Sequence, residues 1–236
     1  MSAELFIHDS SVQTVPFSSF APRVAVVTGA AQGIGYVIAQ KLADDGLDVA
    51  VNDITGKQSK LDSVVDELRR KGRRAIAVPG DVSSEADVIY MMVANAYVSL
   101  LLLKCSIVSL MEYLPQMVAN AGIPAIASFL ERTPNLTAYS ASKFAVRGLT
   151  QTASIELRRH GITANSYAPG YIRTILGAVS DNVDDNIATV KKLFGAPDAP
   201  VSEADTVASI VSYLAKPEAY FINGQSINVD GGLRYD

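Results

Sequence analysis

Tyr139 and Lys143 stand four residues apart in the stretch Tyr-Ser-Ala-Ser-Lys, a spacing that puts a phenol and an ammonium on one face of a helix. An ammonium beside a phenol favours phenolate and lowers its pKa, which makes a group able to take up and return a proton. Taken alone, such a pair is more often two surface residues, so its meaning depends on its surroundings. A second feature is the turn Thr28-Gly29-Ala30-Ala31-Gln32-Gly33-Ile34-Gly35. Glycines there permit a tight turn, close approach of backbone amides to a pyrophosphate and close helix-to-strand packing, and the helix N-terminus that follows suits an anion. A strained strand-to-helix corner without a ligand is the competing account, because one glycine-rich turn is a weak signal. The third feature is Asp53, about 18 residues past the last of these glycines, where a carboxylate can accept hydrogen bonds from an adenosine ribose. It would repel a 2′-phosphate, which favours NAD over NADP; an ordinary turn aspartate is the alternative reading.

These residues need elements to hold them. Val24-Ala25-Val26-Val27 is a continuous apolar run of the kind found in a strand buried on both faces of a parallel sheet. Ile34, Val37, Ile38 and Leu42 then fall at helical spacing within Ile34 to Asp45, and Gly46 closes the segment. Asp48 to Asp53 supplies the next strand, completing a β-α-β unit of about 30 residues. Leu61, Val64, Val65 and Leu68 mark a second helix over Leu61 to Lys71, and Arg74 to Val78 a third strand. The alternation predicts an α/β fold, a Rossmann-like doubly wound parallel sheet. Residues 1–21 read as a flexible N-terminal extension: Met1 to Ala21 has no Lys or Arg and no uninterrupted apolar run, so it shows neither a signal peptide nor a transit peptide. Residues 22–236 read as a single dinucleotide-binding and catalytic domain.

The composition narrows the classes further. With 49% hydrophobic and 19% charged residues, the 236-residue chain is not disordered. Twenty Lys and Arg against 24 Asp and Glu give a net charge of −4, which offers no broad basic face for a phosphate backbone, so nucleic acid is not an expected partner. The single cysteine, Cys105, forms no internal disulfide, and His8 and His160 are too far apart to propose a metal cluster. A reducing cytoplasm fits this cysteine usage.

Further motifs carry a resemblance. The turn Thr28 to Gly35 matches the T-G-x-x-x-G-I-G of the short-chain dehydrogenase/reductase family, and Tyr139 to Lys143 matches its Y-x-x-x-K. Gly80-Asp81-Val82 resembles the pair that contacts adenine after the third strand, and Asn120-Ala121-Gly122 resembles the N-A-G motif after the fourth. Pro169-Gly170 followed by Thr174 matches the segment that closes over the nicotinamide, and Ile222 to Gly232 looks like the last strand. The resemblance runs from about Pro22 to Asp230, and its texture is most similar to acetoin/diacetyl reductase members. It implies an oxidoreductase that moves a hydride between NAD(H) and a small alcohol or ketone. Tyr139 would be the acid/base, and Lys143 would lower its pKa and hold the nicotinamide ribose. Gly29, Gly33, Ile34, Gly35, Asp53, Asp81, Val82, Asn120, Ala121, Gly122, Pro169, Gly170 and Thr174 would line the cofactor. It also implies a homo-oligomer.

The middle of the chain departs from that pattern. The family places a crossover helix and a further strand between the N-A-G motif and the tyrosine helix, and the interval 121–138, with Pro124 and Pro134 inside it, cannot hold both. One strand-helix unit is therefore expected to be lacking. The family's catalytic serine has no counterpart: Ala125, Ile126 and Ala127 occupy that neighbourhood, with Ser128 the nearest hydroxyl. Residues 97–115 form an apolar block close to membrane-spanning length, which Lys104 and Glu112 disfavour as a span. Met-Val-Ala-Asn-Ala occurs twice, at Met92 to Ala96 and Met117 to Ala121, with nothing else repeated. An altered or mispredicted splice form of an ordinary dehydrogenase accounts for both anomalies, and a catalytically silent or impaired dinucleotide-binding protein is the alternative function.

Overall fold

The computed structural model describes residues 24–87, 89–91, 137–158, 162–174, 182–193 and 195–233, with the backbone alone for 137–143, 145 and 193. The N-terminal extension, residues 97–115, both Met-Val-Ala-Asn-Ala copies, Cys105, the interval 121–136 with its expected missing unit and Ser128, and His8 and His160 lie outside the described residues.

Strand β1 (Val24–Val27) leads through the glycine turn into helix α1 (Gly33–Asp44), then β2 (Asp48–Val51), α2 (Gln58–Arg70) and β3 (Ala75–Ala77). All three strands are parallel, with β2 in the middle: Val27 lies opposite Val51, and Val51 opposite Ala77. Side chains alternate between the two faces of this sheet. Ala25, Val27, Val49 and Val51 face Ile38 and Leu42 of α1 and Leu61 and Leu68 of α2, while Val26 and Ala50 pack with Val78 and Met91 on the other side. Both faces are covered, which is why the strands read as unbroken apolar runs and why the sheet is doubly wound as expected.

The second half of the chain adds α3 (Thr137–Leu157), β4 (Ser166–Pro169), β5 (Tyr171–Arg173), α4 (Val183–Leu193), β6 (Val201–Glu203), α5 (Ala204–Leu214) and β7 (Ser226–Val229). β4 pairs with β7 and β5 with β6, again parallel. Val207, Ala208 and Val211 of α5 join the same buried cluster as Ala39, Leu42 and Ala43 of α1, and Tyr167, Ile172 and Val229 pack against it. The alanines let the two helices approach closely, and Ser212 Oγ of α5 donates to Asp45 Oδ2 at 2.5 Å.

The boundaries differ slightly from the sequence expectations, for local reasons. α1 ends at Asp44, where the Gly46 amide donates to the Ala43 carbonyl and Leu47 to Leu42, the paired bonds of a Schellman turn. α2 begins three residues earlier than expected because a 3-10 turn, Thr55–Lys57, feeds it and Gln58 Nε2 donates to Asp62 Oδ1 at 2.8 Å. β2 stops at Val51, since Asn52 and Asp53 use their side chains to hold neighbouring segments. At the opposite end of the sheet Asp48 accepts from the Arg74 backbone amide at 2.9 Å and from Arg74 Nε at 2.8 Å, with Arg74 Nη2 also in contact.

Helices α1 and α2 are joined by Glu67, which accepts from the Tyr36 hydroxyl and from Gln40 Nε2, each at 2.6 Å. The Tyr36 pKa is raised, chiefly by that hydrogen bond to Glu67 and then by burial. The folded state therefore favours the protonated phenol. Its contribution is complete below the range where a free tyrosine ionises and is lost as pH climbs through the raised value. Tyr36→Phe is expected to lower stability by about 1 kcal/mol at neutral pH and to flatten the alkaline limb of the stability curve, both read from urea midpoints at pH 7 and above pH 9.

Candidate functional site

In a parallel sheet the strands deliver their C-terminal ends to one edge, and ligands of such folds bind beyond that edge. The glycine turn, Asp53 and Asp81 lie at that edge. Asn52 after β2 closes the glycine turn after β1: its amide donates to the Val27 carbonyl at 2.9 Å, and its carbonyl accepts from the Ala30 amide at 2.8 Å. Ala30 and Ala31 are buried beneath the turn, Gly35 is buried in α1, and Ile34 packs against the core. Gln32 caps α1 with an extended backbone and no side-chain hydrogen bond to the helix amides, and the first turn of the helix contains no acid. Among the described residues neither the N-cap nor the first turn supplies a side-chain acceptor to these amides, and the helix N-terminus carries the positive end of its dipole. That is a suitable seat for a pyrophosphate.

Thr174, which follows β5, lies over this turn. A Cβ built on Gly33 would sit 3.8 Å from Thr174 Cβ and 3.9 Å from its Cγ2. There is room for a methyl group, so what requires glycine at this position is its φ of +61°. Gly170 is needed for the opposite reason: a Cβ there would come within 2.8 Å of Asp230 Cα. The Gly170 amide donates to the Val229 carbonyl at 3.1 Å, so Pro169 and Gly170 leave β4 pressed against the end of β7.

Asp53 is 7% exposed. Its Oδ1 accepts from the Ile54 amide at 2.9 Å, and its Oδ2 accepts from the Ala31 amide at 3.3 Å and from Lys57 Nζ at 3.2 Å. The Asp53 carbonyl accepts from the Gly80 amide at 3.0 Å. Asn52 Nδ2 donates to the carbonyls of Val78 at 2.8 Å and Gly80 at 3.1 Å, so the ends of β1, β2 and β3 are tied together. Beyond Gly80, Asp81 Oδ1 accepts from the backbone amide and the hydroxyl of Ser83, both at 2.8 Å. Those two bonds, the backbone one first, lower the Asp81 pKa. Val82 and Ile54 expose apolar side chains at the ends of neighbouring strands.

Tyr139 and Lys143 both fall within the backbone of α3. Asn120, Ala121 and Gly122 are outside the described residues. The sequence reading did not single out Asn52, Lys57 or Lys60. The signal for Asn52 was a polar residue directly after a buried strand, and for Lys57 its four-residue spacing from Asp53. An open groove of about 450 Å³ between α2 and β3 has Asp62, Asp66 and Arg69 along it and shares none of the candidate residues. Among the described residues no group of His, Cys, Asp and Glu could hold a metal, and no helix is long and apolar enough to cross a membrane.

Asn52→Ala would leave the Val78 and Gly80 carbonyls without their amide donor in a buried place. The expected loss is about 2 to 3 kcal/mol of stability, with faster hydrogen exchange at the Gly80 and Asp81 amides than at those of β1.

Comparison with known proteins agrees with this geometry. A family model described as short chain dehydrogenase matches residues 23–133, and one described as Enoyl-(Acyl carrier protein) reductase matches residues 102–234. The chain is 37% identical, over 258 aligned positions, to the short-chain dehydrogenase/reductase eriH of Hericium erinaceus, covering 89% of this chain and 96% of the relative. It is 29% identical over 267 positions to the L-2,3-butanediol dehydrogenase of Corynebacterium glutamicum, covering 91% and 99%. A solved structure of a blue fluorescent protein from a metagenomic library in complex with NADPH superimposes with a TM-score of 0.68 at 27% identity, covering 90% of this chain and 98% of that one. The 267-position alignment exceeds the 236-residue chain, so at least 31 positions of the butanediol dehydrogenase lie opposite gaps in this chain. Family models that together run from residue 23 to residue 234, and relatives aligned almost end to end, mean that the chain belongs to the short-chain dehydrogenase/reductase family of oxidoreductases.

Proposed function

We propose that the protein transfers a hydride between NAD(H) and a small alcohol or ketone of the acetoin and diacetyl type, acting in the cytoplasm. The observation that carries this reading is the meeting of Thr174 with Gly33, which brings the segment assigned to the nicotinamide against the turn assigned to the pyrophosphate. Likeness to a butanediol dehydrogenase supports the substrate class.

The first-turn amides of α1 hold the pyrophosphate, and the Asp53 carboxylate accepts from the adenosine ribose. Ile54 and Val82 flank the base, with Asp81 at its edge. Pro169, Gly170 and Thr174 cover the nicotinamide end, and the family resemblance assigns Asn120, Ala121 and Gly122 to the cofactor as well. When bound, the dinucleotide supplies or accepts the hydride. The Tyr139 phenol moves the accompanying proton to or from the substrate oxygen, and Lys143 favours its phenolate form and holds the ribose. The family's serine, which would donate to the substrate oxygen, has no counterpart in the interval 121–138. Loss of one donor of that kind costs about 3 to 4 kcal/mol of transition-state stabilisation, so slow turnover is expected.

A second reading, dinucleotide binding without turnover, is favoured by the alignment gaps, which fit a lost strand-helix unit. One experiment separates the two: NADH fluorescence titration of the purified protein, combined with turnover on acetoin and diacetyl. The catalytic reading expects measurable turnover that Tyr139→Phe lowers at least a hundredfold, with a far smaller change in NADH affinity, and about tenfold weaker NADH binding in Asp53→Ala. Binding with no turnover on any small ketone supports the second reading. Absence of NADH binding overturns both.

A further inference from the structure

At the edge of the sheet where β2 and β3 begin, opposite the candidate site, the chain runs Arg69-Arg70-Lys71-Gly72-Arg73-Arg74, a dense basic stretch in an otherwise acidic protein. Two of these cations are neutralised: Lys71 Nζ lies 2.9 Å from Asp44 Oδ1, and Arg74 is paired with Asp48. The remaining three are not. Arg69 Nε donates to the Ala75 carbonyl at 3.2 Å and Arg73 Nη1 to the Gly46 carbonyl at 3.0 Å, both neutral acceptors. Arg70 makes no hydrogen bond or ion pair among the described residues. Gly72, with φ of +81°, turns the chain between α2 and β3, so the three guanidiniums share one short corner. Binding two carbonyls needs N–H donors and no positive charge. An arginine that spends one N–H on a carbonyl keeps the rest of its fork for a partner.

We infer that Arg69, Arg70 and Arg73 form a docking surface for a short acidic segment of a partner protein, a run of Asp and Glu carboxylates. Planar guanidinium forks match carboxylates in bidentate pairs, which favours this chemistry. The patch is also narrow. Asp44 beside Lys71, and Asp62 and Asp66 on α2, are exposed around it. A broad anionic surface, such as a bilayer or a nucleic-acid duplex, presses those carboxylates against its own charge, whereas a short segment reaches the guanidiniums alone. Arg69 and Arg70 belong to the last turn of α2. The stretch is therefore presented as a fixed corner and not as an extended basic peptide for another protein's groove. Because the corner lies away from the glycine turn, docking there leaves the dinucleotide site open, and the inference does not depend on the catalytic reading.

The test is fluorescence anisotropy of a labelled short peptide of alternating Asp and Glu, titrated with the full chain at low and at high salt. A peptide of Asn and Gln of the same length, duplex DNA and vesicles containing phosphatidylserine are titrated in parallel. The wild type is expected to bind the acidic peptide more tightly than the other three, with an affinity that falls as salt rises. Arg70→Glu should weaken binding about fivefold, the upper range for one exposed charge pair, and the triple change of Arg69, Arg70 and Arg73 to Gln by about tenfold or more. Lys191→Gln with Lys192→Gln, which removes two cations from α4, should leave it unchanged. Arg69 and Arg73 also hold carbonyls, so urea midpoints check that the triple variant folds; Arg70→Glu breaks no described bond and decides the matter if it does not. A wild type that ignores the acidic peptide overturns the inference, as does an Arg70→Glu variant with unchanged affinity or an equal loss in the α4 variant. DNA or vesicles binding more tightly than the peptide through the same arginines overturn it too, by assigning the corner to another class of partner.

Discussion

Burial of the three-stranded sheet on both faces is the constraint on which the rest of the structure depends. Parallel strands without a wet face must be apolar along their length, and Val24–Val27 and Asp48–Val51 are buried at every position. Polar chemistry is then excluded from the strands and driven to their ends. Since the strands are parallel, their C-terminal ends share one edge, and the glycine turn, Asp53 and Asp81 arrive together without any sequence proximity.

What keeps that edge open is a small set of buried polar contacts. Asn52 is almost wholly enclosed and links β1 to β3 through its backbone and side chain. Asp53 ties the glycine turn to the loop after β2 while remaining at the rim. In a low-dielectric setting each unmade bond of this kind would be costly, so the edge has one arrangement in preference to several loosely related ones.

The second half of the chain is fastened to the first by packing at two depths. Deep in the core, α5 lies on α1 through small residues and the Ser212 to Asp45 hydrogen bond. At the edge, Gly170 lets β4 press on Asp230, and the chain leaving β5 carries Thr174 over Gly33. A segment assigned to one end of an extended ligand thereby meets the turn assigned to its middle. The ion pairs of Arg173 with Asp184 and with Glu203 join β5, α4 and β6 nearby. They are exposed, and screening leaves them a minor part in stability.

The sequence by itself determined the alternation of strands and helices, the glycine turn, the position of Asp53 and the pairing of Tyr139 with Lys143 on one helix, because each follows from local periodicity or from spacing within a few turns. Even the stop of α1 near Gly46 was legible, since helix termination is a local event. Tertiary structure alone decided that Thr174 lies over Gly33, that Gly170 abuts Asp230, and that Asn52 bonds across to β3. Those contacts join segments far apart in the chain, and no local pattern encodes which distant segment a side chain will meet. The charge around Asp53 belongs to the same class. In the sequence Asp53 stood for a lone negative charge, whereas in the fold Lys57 turns back beside it, because electrostatic character is a sum over neighbours in space.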